Sequence, residues 1–447
     1  MRNSIKKLFS FEYLPAVLFF VYIAVVHILG YMEDSDDVAV RELLLAPTLK
    51  EEMGRLNVSF VGWSSRFIIN PFIFVMLHLD FRLWMIIDII MMMIIYMGLY
   101  KLFGLNKSES GRWFMLFSAL CVPFHLAVEV GWVVTSMTYI WPLAFGVVSC
   151  LTIKSYYEGY KISVGKSVMN AAFVAISSNS EGLSVALLIV FGFFLCNSAI
   201  NKRLYVPFLI NTIIALVSVL YHVFSPWNKS RYVSAGKPNR TLIDKLDIGI
   251  SSTIETQILR YEFLILVLAL ISGLVVYNKY KGWRGIVGFV PLTVWVLFGL
   301  VGGLVLNDNL VPGIYEHPIL CDVSLSEGKM ELPITWVALA VGVTFWGFLI
   351  RNILLIYKNK QRLIMVILPM FASYAGRITG GFATETQIYY SRTYFVPLVI
   401  TCVVSAVIAN DYYKELTAKK AQRFAELIMV LSFIGVVRCL IECYIIG

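Results

Sequence analysis

Four carboxylates crowd into five residues, Glu33-Asp34-Ser35-Asp36-Asp37, directly after an apolar run from Tyr13 to Tyr31. A cluster at the exit of a membrane segment is held at a fixed height on the bilayer, where repulsion is costly and no packing is gained. Crowded carboxylates raise one another's pKa, which suits one of them to accept a proton from an incoming hydroxyl. Binding a divalent cation through oxygen ligands is the alternative use. Chance acidity of a solvated loop explains the composition but not the position.

A second segment has the opposite sign. Pro226-Trp227-Asn228-Lys229-Ser230-Arg231 is followed by Lys237, Arg240, Lys245 and Arg260. Cations after a Pro-Trp turn can pair phosphate oxygens through charge-assisted hydrogen bonds, or simply attract anionic headgroups. Arg377 and Arg392 flank Glu385, and either clamp a phosphate or form an ion pair. Arg66 closes Trp63-Ser64-Ser65-Arg66, and Glu181 sits in the turn Asn179-Ser180-Glu181-Gly182. A carboxylate that close to the bilayer needs a partner or a task. Tyr139 and Trp141, in Tyr139-Ile140-Trp141-Pro142, are interfacial anchors or an aromatic platform for a sugar ring.

The elements that must position these residues are membrane helices. Hydrophobic residues make up 59% of the 447 and charged ones only 15%. A soluble domain carries roughly 25% charge, so the chain reads as an all-α polytopic transmembrane bundle, a single integral domain over 1–447. Apolar runs predict about 11–13 spans, at 13–31, 82–103, 113–129, 136–153, 168–181, 183–200, 204–222, 261–278, 286–306, 333–356, 363–377, 393–409 and 425–446. The first reads as an uncleaved span, since no small-residue cleavage site follows it. Basic residues occupy alternate short connections, among them Lys101/Lys107/Arg112, Lys154/Lys161/Lys166, Lys279/Lys281/Arg284 and Lys358/Lys360/Arg362. That pattern follows the positive-inside rule, so most of the net charge of +9 is topology and not nucleic-acid binding. The other face carries the loops 32–81, 223–260, 307–332 and 379–392. In 32–81, Val38 to Met53 is predicted to form a short interfacial helix, and Phe67 to Leu79, interrupted by Pro71, an interfacial or re-entrant one. Seven scattered Cys without CxxC and five His without HxxH or HExxH predict no disulfide scaffold and no histidine metal centre.

The ordered set of short motifs resembles one family: the serotype-converting O-antigen glucosyltransferases (Gtr type) of bacteria and temperate phages, within the GT-C class of membrane glycosyltransferases. The set is an acidic cluster after the first span, Trp-x-x-Arg in the same loop, Tyr-x-Trp-Pro opening span 4, an Asn-x-Glu turn, and Pro-x-Asn with a following Arg. It covers roughly residues 10–400, and no single motif is diagnostic. The resemblance implies a GT-C-like fold in a bacterial inner membrane, with the active site facing the periplasm. It implies an undecaprenyl-phosphate hexose donor, a lipid-linked O-antigen acceptor, and inverting transfer without a nucleotide sugar or other cofactor. A separate donor synthase and flippase are implied partners beside the membrane lipids. Carried onto this chain, Asp36 or Asp37 matches the carboxylate near the base, with Glu33 and Asp34 as neighbours. Arg66 matches the first-loop cation, Tyr139 and Trp141 the aromatic pair, Glu181 the polar turn, and Asn228 and Arg231 the phosphate-side stretch. Val38-Ala39 stand where an aromatic is common, and Ser64-Ser65 where a glycine is. The choice between Asp36 and Asp37 stays open.

Lys229, Arg377 and Arg392 complete the cations that a departing lipid phosphate would need. Two rival readings remain. A transporter or lipid flippase would place ionisable residues inside spans, where Asp88, Glu129 and Arg438 are the exceptions to watch. An O-antigen polymerase or ligase would rely on loop arginines and not on first-loop carboxylates.

Overall fold

The computed structural model describes residues 12–30, 37–38, 41–42, 48–56, 65–124, 132–160, 162–225, 240–259, 262–301, 328–331, 333–382 and 391–446. Among these there is no strand. Eight helices are long and apolar enough to cross a bilayer, nine if one bent pair is a single span. The protein is a multi-pass membrane protein with an all-α bundle architecture.

The helices are α1 (Leu14–Leu29), α2 (Leu49–Leu56), α3 (Ile69–His78), α4 (Phe81–Leu102), α5 (Glu109–Ala119), α6 (Trp132–Tyr157), α7 (Val164–Ser177) and α8 (Glu181–Ile200). They continue as α9 (Val206–Phe224), α10 (Leu242–Ile254), α11 (Phe263–Lys279), α12 (Trp283–Gly299), α13 (Pro333–Ile356), α14 (Lys360–Ile378), α15 (Phe395–Tyr413) and α16 (Ala418–Ile446). Each of the thirteen apolar runs holds a helix. The span count is lower because α1, α5, α7 and α12 are shorter than a full crossing. For α5 the reason is local: Pro123 cannot continue a helix, and the chain leaves it at Ala119. Helix α3 falls within the expected Phe67 to Leu79 segment, and α2 overlaps the end of the expected Val38 to Met53 helix.

One expectation needs correction. The segment 223–260 is not loop throughout, because α10 fills 242–254. Its start is a capping box in which Thr241 Oγ1 accepts from the Asp244 backbone N–H, while the Asp244 carboxylate accepts from the Thr241 N–H. It continues as a π-helical turn, Glu255–Leu259, and meets α11 at a bend of 78°.

At the centre lies α15, with 89% of its apolar window buried, whereas α9 has only 22% buried and presents its face to lipid. The ends of the bundle differ. Lys101, Lys154, Lys279, Lys358 and Lys414, from five different elements, line one cavity at what is here termed the basic end. Tyr156 and Tyr205 meet edge to face there as well, which brings the α8–α9 connection to that end. Part of the basic pattern in the sequence thus comes together around one cavity.

Candidate functional site

At the other end, the residues singled out in the sequence meet around the start of α6. This helix opens as a short α-turn (Trp132–Thr135), widens into a π-turn (Ser136–Ile140) and resumes from Trp141. The Trp141 N–H bonds the Ser136 carbonyl, five residues back. Pro142 explains the widening: it lacks an N–H and its ring crowds the carbonyl four residues earlier, so the helix relieves the clash by taking in a residue. Ser136 Oγ and Thr138 Oγ1 are buried there without a hydrogen-bond partner among the described residues. An unsatisfied buried hydroxyl costs about 1–3 kcal/mol, so packing alone does not account for this turn.

A chain of contacts leads outward from the turn. Asp37, only 3% exposed, accepts from the backbone N–H groups of Val133 (3.0 Å) and Val134 (2.9 Å). It thus caps the first turn of α6 from the far side of the first loop. Arg392 donates to Thr135 Oγ1 at 3.4 Å. The Tyr139 ring lies 5.7 Å under the Arg66 guanidinium. Arg66 Nε donates to Glu181 Oε2 at 2.9 Å, and Ser65 Oγ donates to Oε1 at 3.1 Å. Burial would lower the Arg66 pKa, but Glu181 and Tyr139 outweigh it and hold the guanidinium charged well above its usual range. The loop is pinned further by His222, whose Nδ1 lies 2.9 Å from Ser65 Oγ. Asn179 Oδ1 accepts from the N–H groups of Ile68 and Ile69.

Glu181 opens α8, and Gly182 beside it meets Gly376 backbone to backbone, with no room for a Cβ on either. That contact sets Arg377, at the end of α14, next to the Glu181 turn. Arg377 is 3% exposed; its Nη2 donates to Tyr394 Oη (2.6 Å) and Ser252 Oγ (3.2 Å), and its guanidinium lies 4.0 Å from the Tyr394 ring centroid. Tyr394 Oη in turn donates to the Ser252 carbonyl at 2.7 Å. A guanidinium held by two hydroxyls and against an aromatic ring is preorganised for phosphate or carboxylate oxygens.

Six expected residues, Asp37, Arg66, Tyr139, Glu181, Arg377 and Arg392, are thus assembled at one end. Trp141 takes a different position from a sugar platform. It is buried, and its indole N–H donates 2.7 Å to Asp88 Oδ1. Glu33, Asp34, Asp36, Asn228, Lys229 and Arg231 lie outside the described residues, as does most of 307–332.

Several contributors were not expected from the sequence. Ser252 and Tyr394 complete the Arg377 site. Glu255 and Glu262 are 2% and 7% exposed on either side of the α10–α11 bend. Lys329 is fully buried, with Nζ 2.6 Å from Asp247 Oδ2 and 2.8 Å from Ser251 Oγ. The legible signal for this region was the capping box at Thr241. Below the π-turn, His27 and Asp88 are both fully buried, with Nε2 and Oδ2 2.9 Å apart. His27 Nδ1 lies 2.8 Å from the Ile23 carbonyl, which can only accept. Nδ1 therefore carries a hydrogen, and one further proton is shared between Nε2 and Asp88. Among the described residues, no group of three or more His, Cys, Asp or Glu is arranged to hold a metal ion.

No known protein family matches this chain. No curated protein matches it either. Nor does any solved structure. The function therefore rests on the site itself.

Proposed function

We propose that this protein is a membrane glycosyltransferase of the inner bacterial membrane. It moves a hexose, glucose in the simplest case, from a polyprenyl-phosphate donor to a lipid-linked O-antigen repeat on the periplasmic side, with inversion. The observation that carries the reading is the contact path from Asp37 and Arg392 on the first turn of α6, through Tyr139 in the π-turn to Arg66 and Glu181, and on to Arg377–Tyr394, at one end of an otherwise apolar bundle.

The chemistry asks little of the protein. An acceptor hydroxyl oxygen bonds to C1 of the hexose as the bond from C1 to the phosphate oxygen breaks, and the hydroxyl proton passes to a carboxylate. The leaving lipid phosphate needs cations, and Arg377 and Arg392 are the described candidates. The acidic cluster of the first loop supplies the base. Because both Asp37 oxygens accept backbone N–H groups, Asp37 is the anchor of that loop and Asp36 takes the proton. The donor's own phosphate and the arginines make a metal ion unnecessary.

The test is expression in a host with a defined O antigen and mass analysis of the glycan. An added side-branch hexose is expected, lost with Asp36→Asn at normal membrane levels, whereas Asp37→Asn lowers both activity and thermal stability. Unmodified glycan from the intact protein rejects the reading; full activity of Asp36→Asn rejects the base assignment. A transporter or flippase is the second reading, favoured by the His27–Asp88 pair inside the apolar layer. Substrate movement in acceptor-free vesicles would select it. An O-antigen polymerase or ligase would keep its activity without the first-loop carboxylates.

A further inference from the structure

We propose that the basic end carries a second site, independent of the transferase reading, for an anionic phospholipid. Its phosphate head sits among lysines, and the first methylenes of one chain enter a small apolar crevice of about 80 Å³ between helices. The cavity there has a volume of about 840 Å³ and is lined by seven cations against three carboxylates. Three of the cations are committed. Arg362 forks onto Asp411 (2.9 and 3.0 Å) and donates to the Phe103 carbonyl, Lys279 donates to the Ile356 carbonyl, and Lys154 faces Glu158 at 3.9 Å. These contacts build the wall. The side-chain ammonium groups of Lys101, Lys107, Lys358 and Lys414 make no ion pair or hydrogen bond among the described residues, and all four residues are exposed. Four unpaired ammonium groups around one concavity repel each other unless an anion joins them.

The positive-inside rule explains which face lysines occupy, but not why the concavity continues into the bundle. A groove lined by apolar side chains of α4, α6, α8 and α14 shares Leu102, Phe103, Ile153 and Met365 with the cavity. It reaches Leu187 of α8 and Pro369 of α14. Cationic head space joined to apolar tail space is the complement of a phosphate-bearing lipid. A soluble anion would leave the groove unused, and a neutral lipid would leave the lysines unpaired.

The experiment uses the full chain in nanodiscs, with native mass spectrometry of retained lipid. Phosphatidylglycerol or cardiolipin is expected to be retained at least about tenfold over phosphatidylcholine, and the preference to disappear in Lys101→Gln/Lys358→Gln/Lys414→Gln. Leu187→Trp, which fills the groove, is expected to reduce retention while leaving the lysines in place. Equal retention of the charged and neutral lipids by the unmodified protein overturns the proposal, even if the triple variant does not fold. So does an unchanged preference in a folded triple variant, or displacement of the lipid by millimolar inorganic phosphate, which would indicate a soluble-anion site.

Discussion

The two ends of this bundle are built on different principles. At the basic end the helices finish regularly or in 3₁₀ turns such as Leu105–Lys107, and charge is carried by long lysines reaching into a cavity. At the other end, helices break. Three π-turns, at Ser136–Ile140, Glu255–Leu259 and Val296–Val301, lie in or at the ends of apolar segments, and the charge is carried by buried or half-buried, hydrogen-bonded groups such as Arg66, Glu181 and Arg377. Regular ends leave backbone groups to water and cations. Broken ends expose carbonyls and side chains within the apolar layer, which is tolerated only where protein or ligand satisfies them. The two proposals follow this difference, with lipid docking at the regular end and sugar transfer at the broken one.

The largest expected effect tests that division directly. Arg377 donates to Tyr394 and Ser252 and lies against the Tyr394 ring, a set of contacts that lysine cannot reproduce. Arg377→Lys keeps the charge yet loses the fork and the ring contact, and transfer is expected to fall at least about a hundredfold, on the scale seen when one transition-state donor is removed. Arg362→Lys at the basic end also loses a fork, onto Asp411, but is expected to cost stability and to leave transfer within about twofold. Glycan analysis and thermal unfolding of both variants separate the outcomes; equal losses of transfer would remove the distinction between the ends.

The fold was legible because lipid imposes one rule on every segment: each of the thirteen apolar runs is long enough to need a helix, and each holds one. Local chemistry was legible where the cause is local. Pro142 and Trp141 together mark the widened turn, and the Asn179–Glu181 motif marks a polar helix start. What was not legible is tertiary. Ser252 and Tyr394 lie 142 residues apart in sequence and meet only because α10 packs against the end of α14, with Gly249 against the Ile378 carbonyl. The segment 242–259 was hidden by Ser251, Ser252, Thr253 and Glu255, which dilute its hydrophobicity below that of a span. Tyr139 and Trp141 looked alike as aromatic neighbours, yet helical geometry turns the first toward Arg66 and the second inward to Asp88.

An intermediate effect falls on the inner pair. Asp88→Ala strands the His27 Nε2 and the Trp141 indole in the interior and is expected to cost about 3–5 kcal/mol, the scale for breaking a buried pair. Asp88→Asn is different. Its carbonyl can accept from Trp141 and its amide can donate to a neutral His27, so every partner remains satisfied. Thermal unfolding should place Asp88→Asn near the unmodified protein. If it is stable and still transfers sugar, the pair is structural. If it is stable but inactive, a proton moves through Asp88, and the transporter reading gains the ground the transferase loses.

The smallest effect comes from two matched ion pairs, one at each end. Arg66–Glu181 has a 2.9 Å contact and side chains 17% and 26% exposed; Arg362–Asp411 has the same distance with 28% and 27%. Their similar exposure and length predict similar coupling, about 1 kcal/mol each in double-mutant cycles of thermal stability with Arg→Met and the matching Glu→Gln or Asp→Asn. Stability alone therefore cannot tell the ends apart, which makes the pairs a controlled comparison. Arg66 also holds the Tyr139 ring and, through the Glu181 turn, the approach to Arg377. Breaking that pair is expected to lower transfer about tenfold more than breaking the other. Should both cycles give equal coupling and equal transfer, the outer pair would be only a brace, and the site would contract to Arg377, Arg392 and the first-loop carboxylates.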